Sequence, residues 1–151
     1  MTFSYDRQAA VEYAHRFAFA RNPAYGAFDE IGGDCANFVS QCLFAGGYPP
    51  REAPDGWYYR SFDDRAPAWT GVFFLRRYLL SQGGRAVSAQ DAAPGDVVFM
   101  DFLGDGAFTH SALIVDRAGE ELLVAAHTVD SDYRPLSTYA WRALSFIAPV
   151  P

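Results

Sequence analysis

Cysteine and histidine are the residues of this chain best suited to nucleophilic chemistry, and there are few of either: two Cys and three His. Cys35 stands in "GGDCANFVSQCLFAGG", residues 32–47, directly after a glycine pair and Asp34. If Asp34 caps a helix that begins there, Cys35 occupies its first turn. Free N–H groups and the helix dipole stabilise negative charge at that point. A thiol so placed has its pKa lowered below about 8.5, and the same amides could receive an oxyanion. The plainer reading is that Cys35 opens a buried apolar stripe, since free cysteines pack readily in cores.

The histidines weigh against the plainer reading. His15 falls mid-helix beside Arg16, on a solvated face. His110 opens a strand, "HSALIVD", and His127 nears the end of the next, "ELLVAAHT", with "RAGE" between them. A two-residue turn at Ala118 and Gly119, or a four-residue loop closed by Asp116 and Glu121, sets the two imidazoles opposite each other. Their Cβ atoms would then lie about 4.5–5.5 Å apart. In that register His110 is the base for a thiolate and His127 the third group that orients it. An odd-length loop would send them to opposite faces, leaving Asp130 and Asp132 in reserve.

Cys35, His110 and His127 also have the ligand types of an open zinc centre. The chain lacks a close pair such as His at i and i+4, so no metal and no cofactor is expected. Around the nucleophile, Asp34 adjoins it and Tyr25 lies ten residues upstream. Trp57, in the run Trp57–Tyr58–Tyr59, suits either a binding groove or the core, with the core the stronger reading. Asn37 can complete the first helical turn through its side chain. Asp96 of "PGD" suits the closing of a turn.

These residues need a scaffold. Apolar residues at helical spacing predict a helix from Tyr5 to about Ala20, with Ser4 or Asp6 as cap. A second runs from Asp34 to about Ala45, carrying Cys35, Phe38, Val39, Cys42 and Leu43 on one stripe. A third is expected from Ala68 to Ser81. Strands follow in "PGDVVFMDF", "HSALIVD", "ELLVAAHT" and "RALSFIA". Helices first and strands later give an α+β domain, N-terminal helices packed on a C-terminal antiparallel sheet. Length fits one domain, residues 1–151. Cys35 and Cys42 would lie about 10 Å apart along their helix, beyond the roughly 4.4–6.8 Å of a disulfide, so both are free.

Half of the residues are apolar and 17% aromatic, the mark of a compact globule. With a net charge of −6 and no basic run, nucleic acid is not an expected partner. No segment has the roughly 18 consecutive apolar residues of a membrane span. The opening "MTFSYDRQAAVEYAH" lacks the basic and apolar regions of a signal peptide, so the default location is cytoplasmic. Export by another route, or excision from a longer secreted protein, are the alternatives.

Taken together, "GGDCANFVSQCLFAGG", "PGDVVFM", "THSALIV" and "AAHT" resemble the bacterial "putative amidase" domain of the papain-like clan, related to NlpC-type cell-wall cysteine peptidases. The opening "YDRQAAVEYAHRFAFARNPAYGAFDEIGGDCANFVSQCL" resembles that domain's N-terminus, and residues 48–92 match least. The resemblance implies a papain-like fold and a hydrolase that cleaves a peptide or isopeptide amide through a thiol acyl-enzyme. In it Cys35 would be the nucleophile, His110 the base and His127 the third member, with Tyr25 lining the cleft. A peptide or peptidoglycan fragment would be the substrate. Cys preceding His argues against the circularly permuted members of the clan. The competing readings are an amine acyltransferase of transglutaminase type with the same triad, and a binding module with an unused one.

Overall fold

A computed structural model describes residues 3–150. Met1, Thr2 and Pro151, which the single domain of 1–151 would include, lie outside the described residues. Helix α1 spans Arg7–Phe17, and Asp6 Oδ1 caps it by accepting the Ala9 amide at 3.0 Å. Its inner face is made of Ala10 and Ala14, small enough to bring the helix close to α2, Cys35–Ala45. Gly46, just past α2, seals the contact. A Cβ there would meet Tyr5 Cε1 at 2.6 Å and the Asp6 carbonyl at 2.8 Å.

Helix α2 is the axis of the molecule, with Cys35 through Leu43 buried without interruption. Its polar residues are therefore obliged to find partners. Ser40 accepts from Trp57 Nε1 and donates to the Trp69 carbonyl, and Gln41 accepts from the Tyr13 hydroxyl. A small ribbon, β1 (Tyr59–Ser61) and β2 (Asp64–Arg65), precedes the next helical stretch. The single third helix expected from Ala68 to Ser81 is two, α3 (Pro67–Thr70) and α4 (Val72–Ser81). Gly71 takes an extended backbone between them, φ −112° and ψ 125°, and the helix cannot run through it.

The remaining strands build a six-stranded antiparallel sheet in the order β3-β8-β4-β5-β6-β7. They are β3 (Arg85–Val87), β4 (Val97–Asp101), β5 (His110–Ala118), β6 (Glu121–Ala126), β7 (Ser131–Pro135) and β8 (Ala143–Ala148). Helices and an antiparallel sheet make the domain α+β. Alternation along the strands splits the core. Val97, Phe99, Leu113 and Ala125 face the helices, while Val98, Met100, Ala112, Val124 and Ala126 face a second cluster closed by Ala92 and Leu136. Asp96 closes the turn into β4 by accepting the Ala93 amide, and its other oxygen pairs with Arg7 at 2.7 Å. No helix is long and apolar enough to cross a membrane among the described residues.

The β5–β6 hairpin departs from the expected register. Its turn is Gly119–Glu120, with Ala118 paired to Glu121, and a bulge between Ile114 and Asp116 shifts the pairing again to Leu113 with Ala125. His127 follows the end of β6, in the turn over residues 127–130, with its ring on Phe38 of the helical layer. His110 lies by Phe102 and Tyr139 beside the second cluster. The two imidazoles therefore lie on opposite faces, as a one-residue slip requires.

Candidate active site

Asp34 occupies the cap position of α2, but its side chain does not cap the helix. Its carboxylate turns into the core, where Oδ1 accepts the Phe28 amide at 2.7 Å and Asn37 Nδ2 at 3.0 Å. Oδ2 meets His127 Nδ1 at 2.5 Å, with Arg21 Nε at 3.6 Å. Asp34 and His127 are both essentially without solvent contact. A buried carboxylate demands such partners, and this demand outcompetes the local cap. The first amides of α2 are left without a side-chain acceptor, and they point toward the Cys35 thiol instead.

His127 is pinned on every side. Its ring stacks on Phe38 at 4.1 Å, and Nε2 lies 2.7 Å from the Phe17 carbonyl and 3.1 Å from Arg21 Nη1. Arg21 also reaches Asp29 and Asp130, whose carboxylates hold its charge more firmly, and its guanidinium holds the Asp29 carboxyl below its usual range. Asp130 is thus engaged by Arg21, and Asp132 by His15 Nδ1 at 2.9 Å. Neither of these acids faces His110. The segment that follows His127 is held in a rare conformation, with Thr128 at φ 63° and Val129 at φ 61°. Thr128 Oγ1 accepts the Asp34 amide at 3.3 Å, so this turn braces the loop before the nucleophile.

The Cys35 side chain is buried, with its own amide, the Ala36 amide and the amide and hydroxyl of Ser111 near enough to favour a charge on the sulfur. These groups favour the thiolate, yet burial outweighs them and pushes the thiol pKa up. The lowered pKa expected from helix position alone is therefore not what the structure shows. Cys42, fully buried on the same helix, is pushed up further, and both cysteines are free.

His110 sits at the start of β5 between Phe102 and Tyr139, ring centroids 6.2 and 5.7 Å away. Burial, with help from the Arg134 guanidinium, lowers its pKa from 6.5 to about 4, so the imidazole is neutral at neutral pH. Arg134 stacks on the Tyr139 ring at 3.6 Å. The Tyr139 hydroxyl is buried without a well-formed hydrogen bond, and burial pushes its pKa up. Tyr139 is thus a neighbour of the His110 ring, and Ser111 adjoins His110 in the chain. Neither imidazole hydrogen-bonds the thiol among the described residues.

The structure therefore brings Asp34 together with His127, and Cys35 together with the His110–Ser111 corner of β5. It does not bring His127 to His110. Trp57 is fully buried against Trp69, Tyr48 and Tyr78, so it lines no groove. Tyr25 is half-buried against Tyr59 and Trp69, near Gly26, whose carbonyl accepts Asn37 Nδ2. A cavity of about 330 Å³ opens between residues 54–56 and α4, and none of Cys35, His110 and His127 lines it. No group of three potential metal ligands occurs among the described residues. Arg21, Ser111, Thr128 and Tyr139 were not legible as site residues. Ser111 alone had a signal, its place beside His110.

The family described as "Putative amidase domain" matches residues 4–147. An uncharacterized protein of Bacillus subtilis (strain 168), YhbB, is 43% identical over 141 residues, covering 87% of this chain and 44% of that protein. A second from the same organism, YjcM, is 30% identical over 138 residues, covering 83% of this chain and 31% of that protein. The chain spans less than half the length of these curated relatives. No solved structure gives a significant match.

Proposed function

The chain belongs to this putative amidase domain family, and on that premise we propose that it hydrolyses an amide bond through the Cys35 thiol. The observation that carries this reading is the uncapped start of α2. Asp34 is drawn away by His127, and the amides of Cys35 and Ala36 converge with Ser111 on the Cys35 sulfur. Amides so oriented suit the oxyanion of a tetrahedral intermediate.

Neutral His110 takes the Cys35 thiol proton, and the thiolate attacks the amide carbonyl carbon. The oxyanion rests on the helix amides, the imidazolium protonates the amine, and the C–N bond breaks to leave a thioester. His110 then deprotonates water, which attacks the thioester, and the thiolate recovers its proton as the acid departs. His127 enters as a positioning residue in this scheme, holding Asp34 and hence the first turn of α2. In this scheme the hydrogen bond from thiol to His110 forms around the substrate. A papain-like relationship, and peptides or peptidoglycan fragments as substrates, belong to the same proposal.

The test is a panel of peptides and peptidoglycan fragments incubated with the native chain, Cys35→Ala and His110→Ala. Loss of hydrolysis in both variants, with a thioester adduct on Cys35 in the native protein by mass spectrometry, is expected. Full hydrolysis by Cys35→Ala would sink the mechanism. Products carrying an added amine in place of water would make the enzyme an acyltransferase. A binding module is the second reading, and the buried, protonated thiol favours it. Binding of a fragment with no turnover and no adduct would establish it.

A further inference from the structure

Ser111 is wholly buried on β5, and its hydroxyl makes no well-formed hydrogen bond with any protein group. Its side chain lies on the sheet face covered by the helices, level with Phe99 on β4. Its chain neighbours are His110 and Ala112, so the residue joins the base to the wall of the core. A hydroxyl stranded in an apolar wall is unfavourable, and alanine would fill the place without that cost. Strand β5 packs against α2, and the Ser111 amide and hydroxyl are near enough to Cys35 to favour a charge on its sulfur.

We propose that Ser111 is a positioning residue for the nucleophile, its hydroxyl donating to the Cys35 thiolate formed when His110 removes the proton. The inference rests on the reading of Cys35 as nucleophile. A neutral thiol is a weak acceptor, so at rest the hydroxyl has little to donate to. A thiolate is a strong one, and the same donor then becomes satisfied. The bond is made to the charged form alone. It therefore lowers the free energy of the activated state relative to the resting one, which is how a group contributes to rate. The proton stays on the serine, and no covalent bond to Ser111 forms or breaks.

The experiment reads the thiol directly. Alkylation of Cys35 by iodoacetamide is followed from pH 7 to 10.5 in the native protein, Ser111→Ala and Ser111→Thr, with modification sited by peptide mass mapping. A hydrogen bond to a charged acceptor converts to roughly one unit of midpoint or more. Ser111→Ala should shift the midpoint up by about that much and slow alkylation about tenfold below it. Ser111→Thr, which keeps the hydroxyl, should restore the native profile. Where the alanine variant fails to fold, Ser111→Val against Ser111→Thr isolates the hydroxyl at equal shape, and the same shift is expected between them. Coincident pH profiles for variants with and without the hydroxyl overturn the proposal. Hydrolysis that persists in Cys35→Ala fails the proposed function separately, because it leaves the alkylation profiles untouched.

Discussion

Removing His127 should damage the molecule through Asp34, and the size of the damage follows from the contacts of that carboxylate. Asp34 is fully buried and takes three close donors: the Phe28 amide at 2.7 Å, Asn37 Nδ2 at 3.0 Å and His127 Nδ1 at 2.5 Å. In His127→Ala, Oδ2 keeps only Arg21 Nε at 3.6 Å, beyond hydrogen-bonding distance. Leaving a buried carboxylate oxygen without its donor costs about 1–3 kcal/mol, and the lost stacking on Phe38 adds about 0.5–1.5 kcal/mol. Native domains have about 5–15 kcal/mol in hand, so the variant should still fold. The assay is guanidinium denaturation of His127→Ala, Asp34→Asn and the double variant, analysed as a cycle. In the Asp34→Asn background no buried carboxylate is orphaned, so removing His127 should cost about 2 kcal/mol less than in the native one. A coupling energy below about 0.5 kcal/mol would refute the claim that the pair anchors α2.

The buried His110 gives the folding equilibrium a pH dependence. Its pKa falls from 6.5 to about 4 on folding, so between those values the unfolded chain binds a proton that the folded chain refuses. Stability is therefore full above pH 6.5 and declines toward pH 4 by up to about 3 kcal/mol; denaturation curves of His110→Gln should lack this component, and parallel pH profiles would disprove it. Val129 is exposed in a left-handed conformation that suits Asn or Gly, so Val129→Gly should raise stability by about 0.5–1 kcal/mol in thermal melts. An unchanged or lower Tm would show that the surrounding turn stores no such strain.

Much of the scaffold was legible because its signals are local. The stripe from Cys35 to Leu43, the glycine pair after it and the unbroken apolar runs of β4 to β6 each fix an element within a few residues. The short polar strands β3 and β7 carry no alternation to detect, and the break at Gly71 is a single residue inside an apolar run. The site was half legible for the same reason. That a helix would begin at Cys35 follows from its neighbours. That Asp34 would abandon its capping role for an imidazole 93 positions away does not. Nor does the histidine register, which a single bulge between Ile114 and Asp116 decides.

The two displaced pKa values bear on how such a site would work. Burial raises the Cys35 thiol and lowers the His110 imidazole, in both cases by penalising charge. A charged thiolate and a charged imidazolium are thus each disfavoured at rest, and both groups rest neutral. The amides of α2 and the Ser111 hydroxyl favour the charged form but do not overcome desolvation alone. The missing stabilisation must come with the substrate, whose carbonyl both accepts the thiolate and moves the charge onto the waiting amides. A slow reaction of Cys35 with small alkylating reagents at pH 7 therefore fits an active hydrolase. The discriminating measure is a ratio: a peptide-like acylating agent should modify Cys35 much faster than iodoacetamide does, and by a far larger factor than for a model thiol in solution. Equal ratios for protein and model thiol would mean that the uncapped helix contributes nothing to the oxyanion.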